Sequence, residues 1–184
     1  MLENSLSESQ KKDIIQFARY SLLQLFKIDN PRNIHAIEKN INTINFSGAF
    51  VSLYNNQQLR GCIGRFSNKQ TLSETIKDLT QLAATADTRF EPLNVNEVHN
   101  IKIEISLLTP LEQFSSLNDF ELGKHGIYIK KGIFSGTFLP QVAHKTSWTK
   151  EEFIAHCSHD KAGIGWDGWR NAELYRYEAI VIHE

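Results

Sequence analysis

The chain has 184 residues, 41% hydrophobic and 22% charged, which is the mix of a soluble globular protein able to bury a substantial core. Twenty basic against twenty-one acidic residues leave a net charge of -1, so no bulk field favours nucleic acid or an anionic membrane. Cys62 and Cys157 lie far apart with no CxxC arrangement. That excludes a disulfide framework or a cysteine-built zinc or iron–sulfur site within one chain, and points to a reducing cytoplasm.

The opening residues, MLENSLSESQKK, are polar and lack the apolar run of a signal peptide, and no stretch approaches transmembrane length. Ser7 and Gln10 match a capping box, and Ile14, Phe17, Ala18, Leu22, Leu25 and Phe26 recur at helical spacing. DNPRN ends this helix, because proline restricts itself and the residue before it. Residues 33–45 fit either a short polar helix or a loop. The period then changes to two. GAFVSLY alternates, NNQQ supplies a turn and LRGCIGRF returns, which predicts a hairpin over residues 48–66. TLSETIKDLTQLAATA is a helix, with a capping-box pattern from Thr71 to Glu74 and an apolar face of Leu72, Ile76, Leu79 and Ala83. DTRFEPL is its exit loop, and IKIEISLL is a strand with Ile101, Ile103, Ile105 and Leu107 on one face.

Residues 109–125 read as a joint, after which the same order returns. HGIYIKKGIFSGTFL is a hairpin turning near Lys131 and Gly132. TKEEFIAHCSHDKAG is a helix capped by Thr149 and Glu152 and stopped at Gly163, and LYRYEAIVI is a closing strand. Hairpin, helix and strand thus occur twice, in a first repeat over about 46–108 and a second over about 126–182. The expectation is one α+β domain over residues 1–184 with two lobes, its repeats completing one largely antiparallel sheet flanked by helices.

Chemistry concentrates in a few places. Alternation along LRGCIGRF puts Arg60, Cys62, Gly64 and Phe66 on one face, and a cation near a cysteine favours the thiolate. Gly61 and Gly64 weaken a strand unless something approaches its backbone closely. Against this, a free cysteine is commonly a small buried hydrophobe, so Cys62 is either a nucleophile or a packing residue. Asp87 and Arg89 either orient a carboxylate or phosphate through the guanidinium fork or form a loop ion pair. Glu104 gains interest only where its strand face lines a site. His125, in a turn, is a base, a ligand contact or an exposed loop residue. His156, Cys157 and His159 invite a metal reading, but no third or fourth ligand is evident, so the chain is expected to fold without zinc or another metal. Trp166 and Trp169 read as packing aromatics. The nucleotide-loop, hydrolase-elbow and HExxH motifs are missing.

Taken in order, LRGCIG at 59–64, DTRFEPL at 87–93, IEISLLTP at 103–110, HGIYI at 125–129, LPQVA at 139–143 and KAGI with Trp169 over 161–169 resemble the AMMECR-one family. In bacteria and archaea that family supplies protein A of the AmmeMemoRadiSam system. The resemblance runs from about Ile44 to the C-terminus. It implies two similar repeats sharing one barrel-like sheet, with LRGCIG facing a cleft between lobes. It raises Cys62 and Arg60, with His125 and Glu104, to catalytic candidates, and Gly61, Gly64, Asp87, Arg89 and Gln141 to ligand-binding candidates. It supplies no activity and implies no cofactor. It does imply a Memo-like protein and a radical S-adenosylmethionine enzyme as pathway partners, any radical step belonging to the latter. Two readings follow. In one, Cys62 reacts with or holds a small molecule or protein side chain; in the other, the same surface is a non-catalytic module gripping a partner protein, RNA being disfavoured by the neutral charge.

Overall fold

In a computed structural model, residues 6–30, 33–67 and 69–184 are described. They form two compact units: residues 1–108 with 180–184, and residues 109–179.

The first unit begins with helix α1 (Glu8–Leu25), and its capping box is formed as the sequence predicts, Ser7 and Gln10 each satisfying the other's backbone amide. Pro31, expected to end this helix, lies outside the described residues. The ambiguous stretch holds a short helix, α2 (Ile34–Ile41). Strands β1 (Gly48–Asn55) and β2 (Gln58–Arg65) make the expected hairpin. Its turn residues Asn56 and Gln57 both have positive φ, 48° and 68°, the twist that suits a two-residue connection. Helix α3 (Leu72–Thr85) follows, with Thr71 and Glu74 closing the second capping box, and then β3 (Ile101–Leu108). The core lies between one face of this sheet (Ala49, Val51, Leu53, Ile103, Ile105) and the apolar faces of α1 and α3.

The second unit contains a short strand β4 (Glu112–Phe114), the hairpin β5 (Gly126–Lys131) and β6 (Phe134–Phe138), helix α4 (Lys150–His156) and β7 (Glu173–Tyr177). Residues Cys157–Lys161 continue α4 as a π-helix. Its core gathers Phe120, Ile127, Ile129, Phe153, Ile154, Cys157 and Trp169. Tyr177 is buried too, its hydroxyl donating to the Phe138 carbonyl at 3.0 Å.

The expectation of one shared, barrel-like sheet is corrected. The strands form two separate four-stranded sheets, ordered β2-β1-β3-β8 and β4-β7-β5-β6, where β8 is Ala179–His183. The closing run LYRYEAIVI is not one strand. It breaks at Glu178, whose backbone exchanges hydrogen bonds with Thr109, and β7 and β8 fall in different sheets. Similarly β3 belongs to the first sheet and β4, a few residues on, to the second. The order β2-β1-β3 matches β6-β5-β7, so each sheet is a hairpin-plus-strand completed by one more strand: β8, from the far end of the sequence, in the first, and the short β4, which precedes the hairpin, in the second.

Strand β8 contributes Ile182, which is buried, and is followed by Glu184, which receives the Arg19 guanidinium and the Ile103 amide. A chain ending at Ala179 is therefore expected to lose about 3 kcal/mol or more, the scale of emptying one large buried aliphatic site. Urea unfolding of the shortened chain tests this, and an unchanged midpoint would show that β8 adds nothing to the first unit.

Candidate functional site

LRGCIG occupies β2, an edge strand. Its pairing with β1 slips by one: Tyr54 pairs with Leu59 but Leu53 with Gly61, which leaves Arg60 with no partner on β1. The slip sets the faces beyond it. Gly61 turns toward α3, and Cys62 turns to the opposite face, directly across from Ser52.

Both glycines are accounted for by protein. A Cβ on Gly61 would stand 1.9 Å from the carbonyl oxygen of Ala83, so α3 approaches β2 more closely than any side chain permits. A Cβ on Gly64 would strike the ring of Phe50 on the neighbouring strand, at 2.1 Å. The close approach that the sequence calls for is thus made by a helix carbonyl and an aromatic ring. The second unit uses the same device. At Gly136 on β6 a Cβ would lie 2.3 Å from the Ala162 amide nitrogen at the end of the π-helix.

The DTRFEPL loop covers the open edge of β2. Asp87 accepts the Cys62 amide at 2.8 Å, and Arg89 donates to the Cys62 carbonyl at 3.1 Å. Asp87 also takes the Arg89 guanidinium on both oxygens, at 2.9 and 2.7 Å. Together the two side chains mimic a neighbouring strand. The Arg89 hydrogen bonds, foremost, hold the buried Asp87 carboxyl down at about 2. The ion-pair alternative is what these two residues adopt.

Arg60 does not lie where spacing puts it. The slipped register sends its guanidinium to Glu97, at 2.9 and 3.1 Å, and to the Glu91 carbonyl. Glu97 is held below the usual carboxylate range, chiefly by that guanidinium. The guanidinium at Cys62 is that of Arg89.

The face of the sheet turned away from the helices carries a polar row. The Ser52 hydroxyl donates to the Cys62 sulfur at 3.3 Å. Ser52 is also the register partner of Glu104 on β3, and the Glu104 carboxylate meets the His183 Nδ1 of β8 at 3.3 Å. Tyr54, two residues along β1 from Ser52, shares this face, and burial first, then the Glu104 charge, raises its pKa. Four strands therefore contribute Cys62, Ser52, Tyr54, Glu104 and His183 to this polar face. Sequence reasoning reached Cys62 and Glu104 but missed Ser52, Tyr54 and His183. The signal was present in the polar positions of GAFVSLY; the register that aligns them was not.

His125 and Gln141 belong to the second unit. The His125 Nδ1 accepts the Glu121 amide at 2.9 Å and its amide donates to the Glu121 carbonyl, closing a turn. Its Nε2 therefore carries the proton. Burial, then Arg176 and Lys124, lowers its pKa, so the ring stays neutral at physiological pH. Gln141 lies on a 3-10 turn, Pro140–Lys145. In the HCSH segment both histidines turn Nδ1 to Asp160, at 2.9 and 2.6 Å, while His156 stacks on Trp148 and His159 on Trp166. Among the described residues no group of three or more His, Cys, Asp or Glu is arranged to hold a metal ion. None of the described helices is long and apolar enough to cross a membrane.

Fold and site together define a mixed α/β protein with two four-stranded sheets and a thiol-bearing polar row on one face of the first. The chain belongs to the AMMECR1 family, whose model matches residues 15–182. It is 33% identical to a protein of Methanosarcina mazei over 187 aligned residues, covering 97% of this chain and 94% of that one. It is 38% identical to protein MK0488 of Methanopyrus kandleri over 148 residues, 74% of this chain and 71% of the relative. The crystal structure of uncharacterized protein PH0010 from Pyrococcus horikoshii superposes with a TM-score of 0.83 at 28% identity, covering 97% of this chain and 93% of that one.

Proposed function

We propose that this protein handles a small molecule or a protein side chain on the polar face of its first sheet, with the Cys62 thiol as the group that reacts with it or holds it. The observation that carries this reading is the Ser52 hydroxyl on the Cys62 sulfur, in line with Glu104 and His183. A packing cysteine needs no hydroxyl donor, whereas a thiolate gains from one. The backbone of Cys62 is held from the side by Asp87 and Arg89, which fixes the sulfur's position without using the thiol. The family resemblance adds a setting: a modification pathway shared with a Memo-like protein and a radical S-adenosylmethionine enzyme, in the reducing cytoplasm that two unpaired cysteines suit.

A second reading is a non-catalytic module that grips a partner protein. What favours it is that Gly61, Gly64, Asp87 and Arg89 all serve the architecture of β2 itself.

Alkylation separates the two. Iodoacetamide on the folded protein is expected to label Cys62 and spare Cys157, which is fully buried and whose thiol pKa burial pushes up. Peptide mass spectrometry reads the sites. If Cys62 is as protected as Cys157 until the protein unfolds, the thiol reading fails and the binding module takes its place.

A further inference from the structure

We propose that the tip of the β5–β6 hairpin and the residues after the π-helix form a docking groove for an extended segment of a partner protein. The segment it fits carries an apolar side chain flanked by acidic ones. The groove encloses about 600 Å3 and is lined by Lys131, Gly132, Ile133, Phe134, Gly163 and Ile164, all in the second unit. None of these belongs to the polar row around Cys62, so the inference is independent of how that thiol is read.

The turn supplies the first observation. Gly132, with a φ of 60°, starts a two-residue turn between Lys131 and Phe134, a place where polar residues ordinarily follow. Isoleucine stands there instead: Ile133 is 94% exposed, and Phe134 after it is 52% exposed. Neither belongs to the core of the second unit. A lone exposed apolar residue is ordinary, but two in succession facing the half-buried Ile164 make a patch. The wall opposite the tip is fixed by hydrogen bonds. The buried Ser158 donates its hydroxyl to the Gly165 carbonyl at 2.6 Å, and the Ile164 amide donates to the Ser158 carbonyl at 3.0 Å. Gly163 and Gly165, with φ of 67° and 82°, turn the chain on either side of Ile164. This wall is preformed, so an occupant does not have to order it.

Backbone and charge select the occupant. Strand β6 is at the edge of its sheet, so its outward backbone groups have no strand to pair with. An extended segment adds to such an edge through main-chain hydrogen bonds, and every second side chain falls on one face. On the groove face it meets Phe134 and Ile164, which suit an apolar side chain. A lysine stands at each end of β6: Lys131 pairs with Phe134, and the Lys161 Nζ lies 5.7 Å from the centre of the Phe138 ring. Among the described residues neither lysine is in an ion pair, and no carboxylate lines the groove. Acidic side chains on either side of the apolar anchor complement that charge. The chain's net charge of -1 gives an anionic bilayer no general attraction, which favours a protein segment over a membrane surface.

The probe is a phage-displayed library of random short peptides, selected on the full chain. Enriched peptides are expected to place acidic residues around an apolar one. Their Kd values are then read by fluorescence anisotropy. Ile133→Asn combined with Phe134→Ser is expected to weaken them about tenfold or more, the scale of losing an apolar anchor. Lys131→Glu, a change at an exposed site, is expected to weaken them severalfold and to flatten the salt dependence of binding, and it keeps the test valid where the double variant misfolds. Protection of Cys157 from iodoacetamide reports folding in every sample. The proposal is overturned if no peptide is enriched, or if the enriched peptides bind both variants within twofold of the parent. Two other occupants have their own readouts, and either result replaces the partner segment. One is co-sedimentation of the parent, but not the double variant, with vesicles of phosphatidylserine and phosphatidylcholine. The other is a dimer of the parent in analytical ultracentrifugation that the double variant does not form, which assigns the groove to a second copy of this chain.

Discussion

Gly61→Ala is expected to destabilise the protein by about 3 kcal/mol, the upper range for forcing a methyl group into a packed interior. The new Cβ would meet the Ala83 carbonyl oxygen, which is backbone in the last turn of a packed helix rather than the end of a flexible side chain. Either α3 lifts from the sheet, loosening Leu79, Ala83 and their neighbours in the core, or β2 leaves its register with β1. Gly64→Ala should cost less, because what it meets is the Phe50 ring, a side chain able to turn. Gly132→Ala is the control. A Cβ there meets nothing within 4 Å and only the positive φ of 60° is unfavourable, worth about 1 kcal/mol. Urea unfolding of the three variants ranks them. A Gly61→Ala variant no weaker than Gly132→Ala would mean that the helix does not dictate this glycine.

Asp87→Asn is expected to lower stability by about 2 kcal/mol at neutral pH and to flatten its acid dependence. The folded carboxyl titrates at about 2, below its ordinary 3.8, because Arg89 and the Cys62 and Arg89 amides hydrogen-bond the ionised form. The native state therefore binds this proton more weakly than the unfolded chain does. The stabilisation is complete above the ordinary value, declines as pH falls below about 4 and is gone below about 2. Glu97 and other acids with lowered pKa values lose stability in acid as well, so the informative quantity is the difference between parent and variant. Urea midpoints measured from pH 7 down to pH 2 should converge for the two proteins at the acid end. A constant gap across that range would show that the Asp87 charge is not what holds the edge of β2.

Much of the fold is legible in local patterning. Ser7 with Gln10, Thr71 with Glu74 and Thr149 with Glu152 all form their capping boxes, because cap and amide lie within one turn and need no help from the rest of the chain. The two hairpins follow from period-two alternation around short turns. The sheet to which a strand belongs is a different matter. Nothing in LYRYEAIVI distinguishes a single nine-residue strand from two strands serving separate sheets, because both bury alternate residues. The break becomes visible only through the Glu178 backbone, which pairs with Thr109 far away in sequence.

The candidate site shows the same division at the scale of one residue. The sequence by itself determined that LRGCIG is a strand whose glycines demand a close neighbour, that DTRFEPL follows a helix, and that IKIEISLL has one polar face. These are properties of side chains and their immediate neighbours. Only the tertiary structure decided that Arg60 is the extra residue in the β1–β2 pairing. Counted back from the turn without that slip, Ser52 would face Gly61, and Cys62 would point into the core. With the slip, Ser52 faces Cys62, Arg60 goes to Glu97, and the row through Glu104 reaches His183. Register in a sheet is settled by the sum of contacts across it, and a period of two means that a single inserted residue exchanges the faces of everything beyond it.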